Sequence, residues 1–117
     1  MEKGYLIVQT YISRESYGVP DAKITLSDGR RFLTDENGFT RSIEVEAPDK
    51  ILSESPGTET PFTLLNMTIE KEGFFTIELK NVQVFSSETS LQKVQMLPVP
   101  ENGGGGTISY DFTQQNL

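Results

Sequence analysis

Hydrophobic and polar residues alternate with a period close to two along most of the chain. Such alternation is typical of β-strands that bury one face. Ala22, Ile24 and Leu26, for example, alternate with Lys23 and Thr25. No segment shows the 3.6-residue spacing of an amphipathic helix. The pattern predicts strands over residues 5–13, 22–26, 30–34, 39–46, 61–71, 75–85 and 91–97.

Glycine, proline and asparagine mark the connections between these strands. The strongest turn lies at residues 35–38, where Asn37 tolerates a left-handed backbone and Gly38 has no Cβ that would clash. Residues 14–20 are predicted to form a loop, and residues 47–61, with three prolines, a long connection. About seven short strands separated by such turns indicate an all-β sandwich.

Composition narrows the chemistry that such a sandwich could carry. The 117 residues contain no cysteine and no histidine, which excludes disulfides, Cys/His zinc sites and histidine-based nucleophilic triads. The net charge of -7, without any long run of like charge, makes nucleic acid and anionic membranes unexpected partners. No apolar stretch is long enough to predict a membrane span. The N-terminus does not have the pattern of a secretory signal, which leaves a cytoplasmic location and a bacterial surface assembly both open.

Carboxylates offer the main candidates for catalysis or metal binding. Asp35 and Asn37 suggest a calcium loop, but Phe39 stands where an oxygen ligand is needed. Glu44 and Glu46 share one strand face, and nothing nearby predicts a raised pKa. A hairpin turn and a solvated face explain these residues. We therefore expect no catalytic residue, no metal, no cofactor and no enzymatic activity.

The C-terminal part differs in composition from the rest. Residues 1–100 are predicted to form the sandwich, residues 101–106 a glycine-rich linker and residues 107–117 a tail that begins with strand-like alternation. The tail backbone is suited to β-strand addition, with its apolar side chains on one strip. Three outcomes remain open: the tail joins its own sheet, joins a neighbouring molecule, or stays disordered. The predicted partner-binding residues are Ile108, Tyr110 and Phe112 of the tail and Tyr17 of the 14–20 loop.

Aromatic residues leave a second kind of partner open. Tyr11, Tyr17, Phe74 and Phe85 could form a platform for a carbohydrate or cell-wall glycan. Strand-face packing explains most of these rings, and Tyr17, next to Gly18 and close to Pro20, is the one expected to be exposed.

Four segments together resemble the carboxypeptidase regulatory-like domain of the transthyretin-like sandwiches. Residues 19–26 (VPDAKITL) resemble its P-x-A-x-V-x-L strand, and residues 32–39 (FLTDENGF) its T-D-x-N-G-x-F hairpin. Residues 62–74 resemble its Y-x-L-x-V-x-x-x-G-Y segment, and residues 91–97 its closing strand. The resemblance spans residues 4–98 and implies a Greek-key sandwich, transthyretin-like or immunoglobulin-like.

The same resemblance implies a function. Domains of this family serve as accessory or interaction modules and are usually not catalytic. The sequence therefore predicts a non-catalytic structural or protein-interaction module, bacterial in origin, that could self-assemble through its tail. The alternative is a glycan-binding module.

Overall fold

The computed structural model describes residues 2–47, 62–100 and 105–112, and β-strands make up most of them. Within these residues no helix is long and apolar enough to cross a membrane. In chain order the strands are β1 (Glu2–Ile12), β2 (Arg14–Gly18), β3 (Lys23–Leu26), β4 (Arg31–Leu33), β5 (Ile43–Ala47), β6 (Phe62–Glu70), β7 (Thr76–Phe85), β8 (Thr89–Gln95) and β9 (Thr107–Asp111).

The first sheet is built around β1. Strand β8 runs parallel to β1 along one edge, from the pair Tyr5–Thr89 to the pair Tyr11–Gln95. Strands β5 and β2 pair antiparallel with the two ends of the other edge. The turn after β4 fills the gap between β5 and β2, because Thr10 N donates to Gly38 O over 2.8 Å.

The second sheet has the strand order β4-β3-β6-β7-β9. Its first four strands pair antiparallel, whereas β9 runs parallel to β7. Alternate side chains of both sheets point into one shared core, which excludes water and supplies the main driving force for folding. The two-sheet arrangement confirms the predicted sandwich. The core side chains with at most 2% exposure include Leu6, Val8, Ala22, Ile24, Leu26, Ile43, Met67, Ile69, Ile77, Leu79, Val84 and Met96.

The described residues contain nine strands rather than about seven, and β2 and β9 are the additions. The prediction of a loop at residues 14–20 was wrong for β2. Ser13, with φ at 60°, turns the chain back at once, so that Ile12 pairs with Arg14. The predicted 39–46 strand begins only at Ile43, since Phe39 forms no more than an isolated bridge with Gln9.

Three predicted segments fall largely outside the described residues. They are the 47–61 connection beyond Ala47, the linker up to residue 104, and the end of the tail from residue 113.

Candidate interaction surfaces

The tail strand β9 lies in the second sheet of its own chain. Ile108 is in register with Ile77, and Tyr110 with Leu79, both on β7. Thr76 N donates to Gly106 O over 3.0 Å at the start of this pairing. Among the three outcomes left open by the sequence, the structure has the tail in its own sheet.

Side chains on both faces of β9 hold it to its neighbours. Ile108 and Phe112 are half-buried and pack against the hydrophobic core. On the opposite face Ser109 Oγ donates to Glu78 Oε1 over 3.0 Å, and Asn81 Nδ2 donates to an oxygen of Asp111 over 3.0 Å. Backbone pairing with β7 and these side-chain contacts together attach β9 to the second sheet.

The remaining predicted tail residue, Tyr110, is open to solvent. Its exposure is 44%, although its register partner Leu79 is buried. In the described part of the chain, β7 alone pairs with β9, so one β9 edge carries unpaired backbone groups. Tyr110 and this edge together form a surface on which another chain could pair.

The chain is pinned close to β7 before the linker begins. Phe75 N donates to Leu97 O over 2.9 Å, and Val99 N donates to Gly73 O over 2.9 Å. Because residue 99 lies against residue 73 and residue 106 against residue 76, the linker connects two points that are close together. This short span favours docking of β9 on its own domain.

The fourth predicted partner-binding residue, Tyr17, lies in the other sheet. It is 58% exposed on β2, next to Gly18, which pairs with Tyr11 of β1. The structure therefore brings Ile108, Tyr110 and Phe112 together on or just after β9, and it does not bring Tyr17 to them.

The outer faces of the two sheets differ in character. On the first sheet the pattern of alternation places Tyr5, Ile7 and Tyr11 outward, all half-buried, and Ile7 pairs with Leu91, which is 49% exposed. On the second sheet the outward residues include ion pairs such as Lys23–Glu70, with 3.7 Å between nitrogen and oxygen. The sequence signal for this apolar face was the uninterrupted run at residues 5–8, which leaves one face of the strand apolar after the core face is filled.

The carboxylate candidates have structural partners. Asp35 Oδ1 accepts hydrogen bonds from the amides of Asn37 (2.9 Å) and Phe39 (3.0 Å), as expected for a hairpin turn. Glu44 and Glu46 are exposed, and Lys3 Nζ donates to Glu44 Oε2 over 2.8 Å. The hydrogen bond and the negative charge of Glu44 raise the pKa of Lys3 above its ordinary value.

No cluster of at least three potential metal ligands (His, Cys, Asp or Glu) occurs among the described residues. Glu44 does not lie in an enclosed cavity. The pocket beside it, about 390 Å³ in volume, opens to solvent and is also lined by Lys3 and Arg30.

Comparisons with known proteins bear on the fold. No protein-family model and no curated protein matches the chain, so membership of the carboxypeptidase regulatory-like family is not confirmed. A solved structure of the Bacillus anthracis TIE protein matches 84% of this chain at 11% identity with a TM-score of 0.57. A structure of a type II cohesin–X-dockerin complex from Acetivibrio cellulolyticus, mutated at a C-terminal interface, matches 87% at 14% identity with a TM-score of 0.58.

This chain spans 17% of the first of those chains and 62% of the second. At such low identity the likeness concerns backbone architecture, because side chains at equivalent positions mostly differ. The described chain is thus a β-sandwich whose backbone is similar to parts of these two larger proteins.

Proposed function

We propose that the chain is a non-catalytic structural and protein-interaction module, and that it self-assembles by exchanging its tail strand. The observation that carries the proposal is β9: an edge strand, paired with β7 alone among the described strands, that follows a glycine-rich linker. The cohesin–X-dockerin match supports an interaction role by analogy only, since the complex in that structure is itself a protein–protein assembly.

Exchange would use the contacts already present within one molecule. If β9 leaves β7, the buried side chains of Ile77 and Leu79 lose part of their cover and the β7 edge is unpaired. The β9 of a second copy fits this vacant edge, because it carries the same sequence. Head-to-tail repetition of that step builds closed rings or open chains.

Protein concentration decides whether β9 pairs with β7 of its own chain or with β7 of another copy. The linker gives β9 an effective concentration in the millimolar range near its own β7. A dilute chain should therefore remain monomeric, and exchange should grow as protein concentration approaches that range. In a cell, a high local concentration or attachment within a larger protein would have the same effect.

Deleting residues 101–105 tests the proposal most sharply. Residues 99 and 106 would then be separated by two peptide steps, about 7 Å at most, in place of seven, so the shortened linker should lower the effective concentration of β9 at its own β7. The expected result is a stable dimer or larger oligomer, measured by light scattering at a protein concentration of about 100 µM. That is about a tenth of the effective concentration that the full linker gives β9. Inserting five further glycines is the matched control and should leave a monomer.

Removing the strand altogether completes the design. A variant that ends at residue 100 has no β9 to exchange and should be monomeric at all concentrations. If the 101–105 deletion is also monomeric, with β9 detached or not, assembly through the tail is wrong.

Glycan binding remains a second candidate because Tyr17 is strongly exposed. Tyr11, Phe74 and Phe85 are half-buried, and Phe85 packs against Phe62 with ring centroids 5.7 Å apart, so they offer little ring face. A glycan array followed by calorimetric titration is the test. Saturable binding that a Tyr17→Ala substitution weakens at least tenfold would support this candidate, and absence of binding would remove it.

A further inference from the structure

The strand β4 leaves one edge of the second sheet open, at the opposite end from β9. Among the described strands only β3 pairs with it. Leu26 N donates to Arg30 O, and Thr34 N donates to Ala22 O, on either side of the pair Ile24–Phe32. Bonded pairs alternate in an antiparallel ladder, so the backbone groups of Arg31 and Leu33 point away from β3. The open edge therefore presents two N–H and two C=O groups.

The side chains of β4 add an apolar and a positively charged element to this edge. Leu33 is 62% exposed, and Arg31 is exposed on the same face. Phe32 points to the other face, with the guanidinium of Arg41 5.4 Å from its ring centroid and that of Arg30 5.9 Å away. These cation–π contacts hold Arg30 and Arg41 near the edge.

Arg30, Arg31 and Arg41 differ in whether a carboxylate pairs with the guanidinium group. Arg30 is engaged, since its Nε lies 2.9 Å from Asp28 Oδ2 and its Nη1 donates to Glu44 O over 2.7 Å. Arg31 and Arg41 form no ion pair with any carboxylate in the described part of the chain. Two guanidinium groups without an ion pair among the described residues therefore flank the β4 edge, in a protein with a net charge of -7.

An open hollow of about 540 Å³ lies beside the edge and is lined by Arg31, Leu33 and Arg41, among others. Asp35 also lines it, and its carboxylate, which accepts two backbone hydrogen bonds, offsets one of the two positive charges. The hollow thus joins an unpaired strand edge, an exposed leucine and an excess of positive charge.

We propose that this edge binds an extended acidic segment of a partner protein as an added β-strand. The backbone of the segment pairs with Arg31 and Leu33. A carboxylate on one face of the segment meets Arg31, an apolar side chain meets Leu33, and a carboxylate on the other face, beside Phe32, meets Arg41. Arginine is suited to this role because its fork of donors matches a carboxylate.

This site is separate from the tail strand and does not depend on exchange of β9. Its charge pattern favours acidic over basic segments. A segment with acidic and apolar residues in turn on one face and acidic residues on the other is expected to bind, whereas the same pattern with lysine is expected not to.

The test uses fluorescein-labelled decapeptides and the full chain at low salt. The probe repeats Glu-Glu-Val-Glu, so that glutamate and valine alternate on one face and glutamate fills the other. One control repeats Lys-Lys-Val-Lys, and a second is the glutamate probe N-methylated at every residue, which blocks both of its edges. Fluorescence anisotropy should show saturable binding of the probe only, weakening as salt is added. N-methylation should abolish binding because it removes backbone donors and adds bulk at the pairing edge.

Matched charge variants locate the site. The double variant Arg31→Gln/Arg41→Gln should bind the probe about tenfold more weakly, mainly through faster dissociation. The control Arg14→Gln/Lys71→Gln has the same net charge, and neither residue forms an ion pair within the described ranges. It should bind within about twofold of the unmodified chain, since only long-range charge is lost.

Several results would overturn the proposal. One is equal weakening of probe binding by the two double variants, and another is unchanged binding of the N-methylated peptide. A third is no saturable binding of the glutamate probe up to about 1 mM, a concentration that half-fills even a weak site. Tighter binding of a single-stranded oligonucleotide at the same arginines would likewise replace the acidic segment as the occupant.

Discussion

Buried threonine hydroxyls fasten the turn after β4 to the β2–β3 connection and to β1. Thr34 Oγ1 donates to Val19 O over 2.6 Å and accepts from Ala22 N over 2.9 Å. Thr40 Oγ1 accepts from Val8 N over 3.0 Å. The sequence identified this turn, but it gave no sign that threonine hydroxyls would complete backbone hydrogen bonding, because threonine also reads as an ordinary strand residue.

Replacing Thr34 by valine tests this fastening. The variant keeps the shape of the side chain but leaves Ala22 N and Val19 O without that partner, so the free energy of unfolding should fall by about 2 kcal/mol. Urea denaturation measures the change. Thr89→Val, at an exposed position of β8, is the control and should change stability by less than about 0.5 kcal/mol. Equal effects of the two substitutions would contradict the role given to the hydroxyl.

Gly38 is required for two independent reasons. Its φ is +86°, and a Cβ there would clash with Thr10 O and lie 2.9 Å from Gly18 Cα. Gly29 has a similar φ of +96° but open space around it. Gly38→Ala should therefore lower the free energy of unfolding by at least about 3 kcal/mol, against about 1 kcal/mol for Gly29→Ala. Thermal or urea unfolding of both variants measures these changes. Similar losses of stability in the two variants would show that β1 and β2 do not pack tightly at this turn.

At the scale of elements, a bulge explains why β7 changes phase. Ile77 and Leu79 are buried two residues apart, yet the next buried residue is Val82. The pairing with β6 slips between Leu65 and Met67, and Asn81 takes a φ of 61°. The extra residue restores the inward direction of the second half of β7.

Asn81 should accordingly tolerate glycine better than valine. Both substitutions remove the side-chain bond to Asp111, but a β-branched residue is also strained at positive φ. Asn81→Val is expected to cost about 1–2 kcal/mol more stability than Asn81→Gly. Denaturant titration of the pair is the measurement. A valine variant as stable as the glycine variant would mean that the bulge can move along the strand.

Period-two alternation predicted the strands that bury one face. It did not predict a strand or a surface that forms without burying an apolar face. Strand β2 has no alternating apolar face, and it forms because Ser13 reverses the chain beside the free end of β1. The arginine surface at β4 was not foreseen either. Arg31 and Arg41 are ten residues apart, and only the tertiary fold brings both to one pocket beside the β4 edge.

For the whole molecule, the two sheets bury one core, and the second sheet has two different edges for partners. One edge carries a strand from the tail, and the other carries exposed arginines and a leucine. The pattern of the tail predicted that it could pair with a sheet. It could not predict which sheet, because the anchoring of residues 97–99 beside β7 depends on long-range contacts.

The docking of β9 on its own domain is the claim on which the account of this molecule depends most. Amide hydrogen–deuterium exchange of the monomeric chain, followed residue by residue by NMR, measures it directly. In dilute solution, the β9 amides that bond to β7 should exchange at least about tenfold more slowly than an unstructured peptide, and faster than the core amides of β6 and β7. Exchange of the whole tail at the unstructured rate, with the rest of the sandwich protected, would contradict the docked strand.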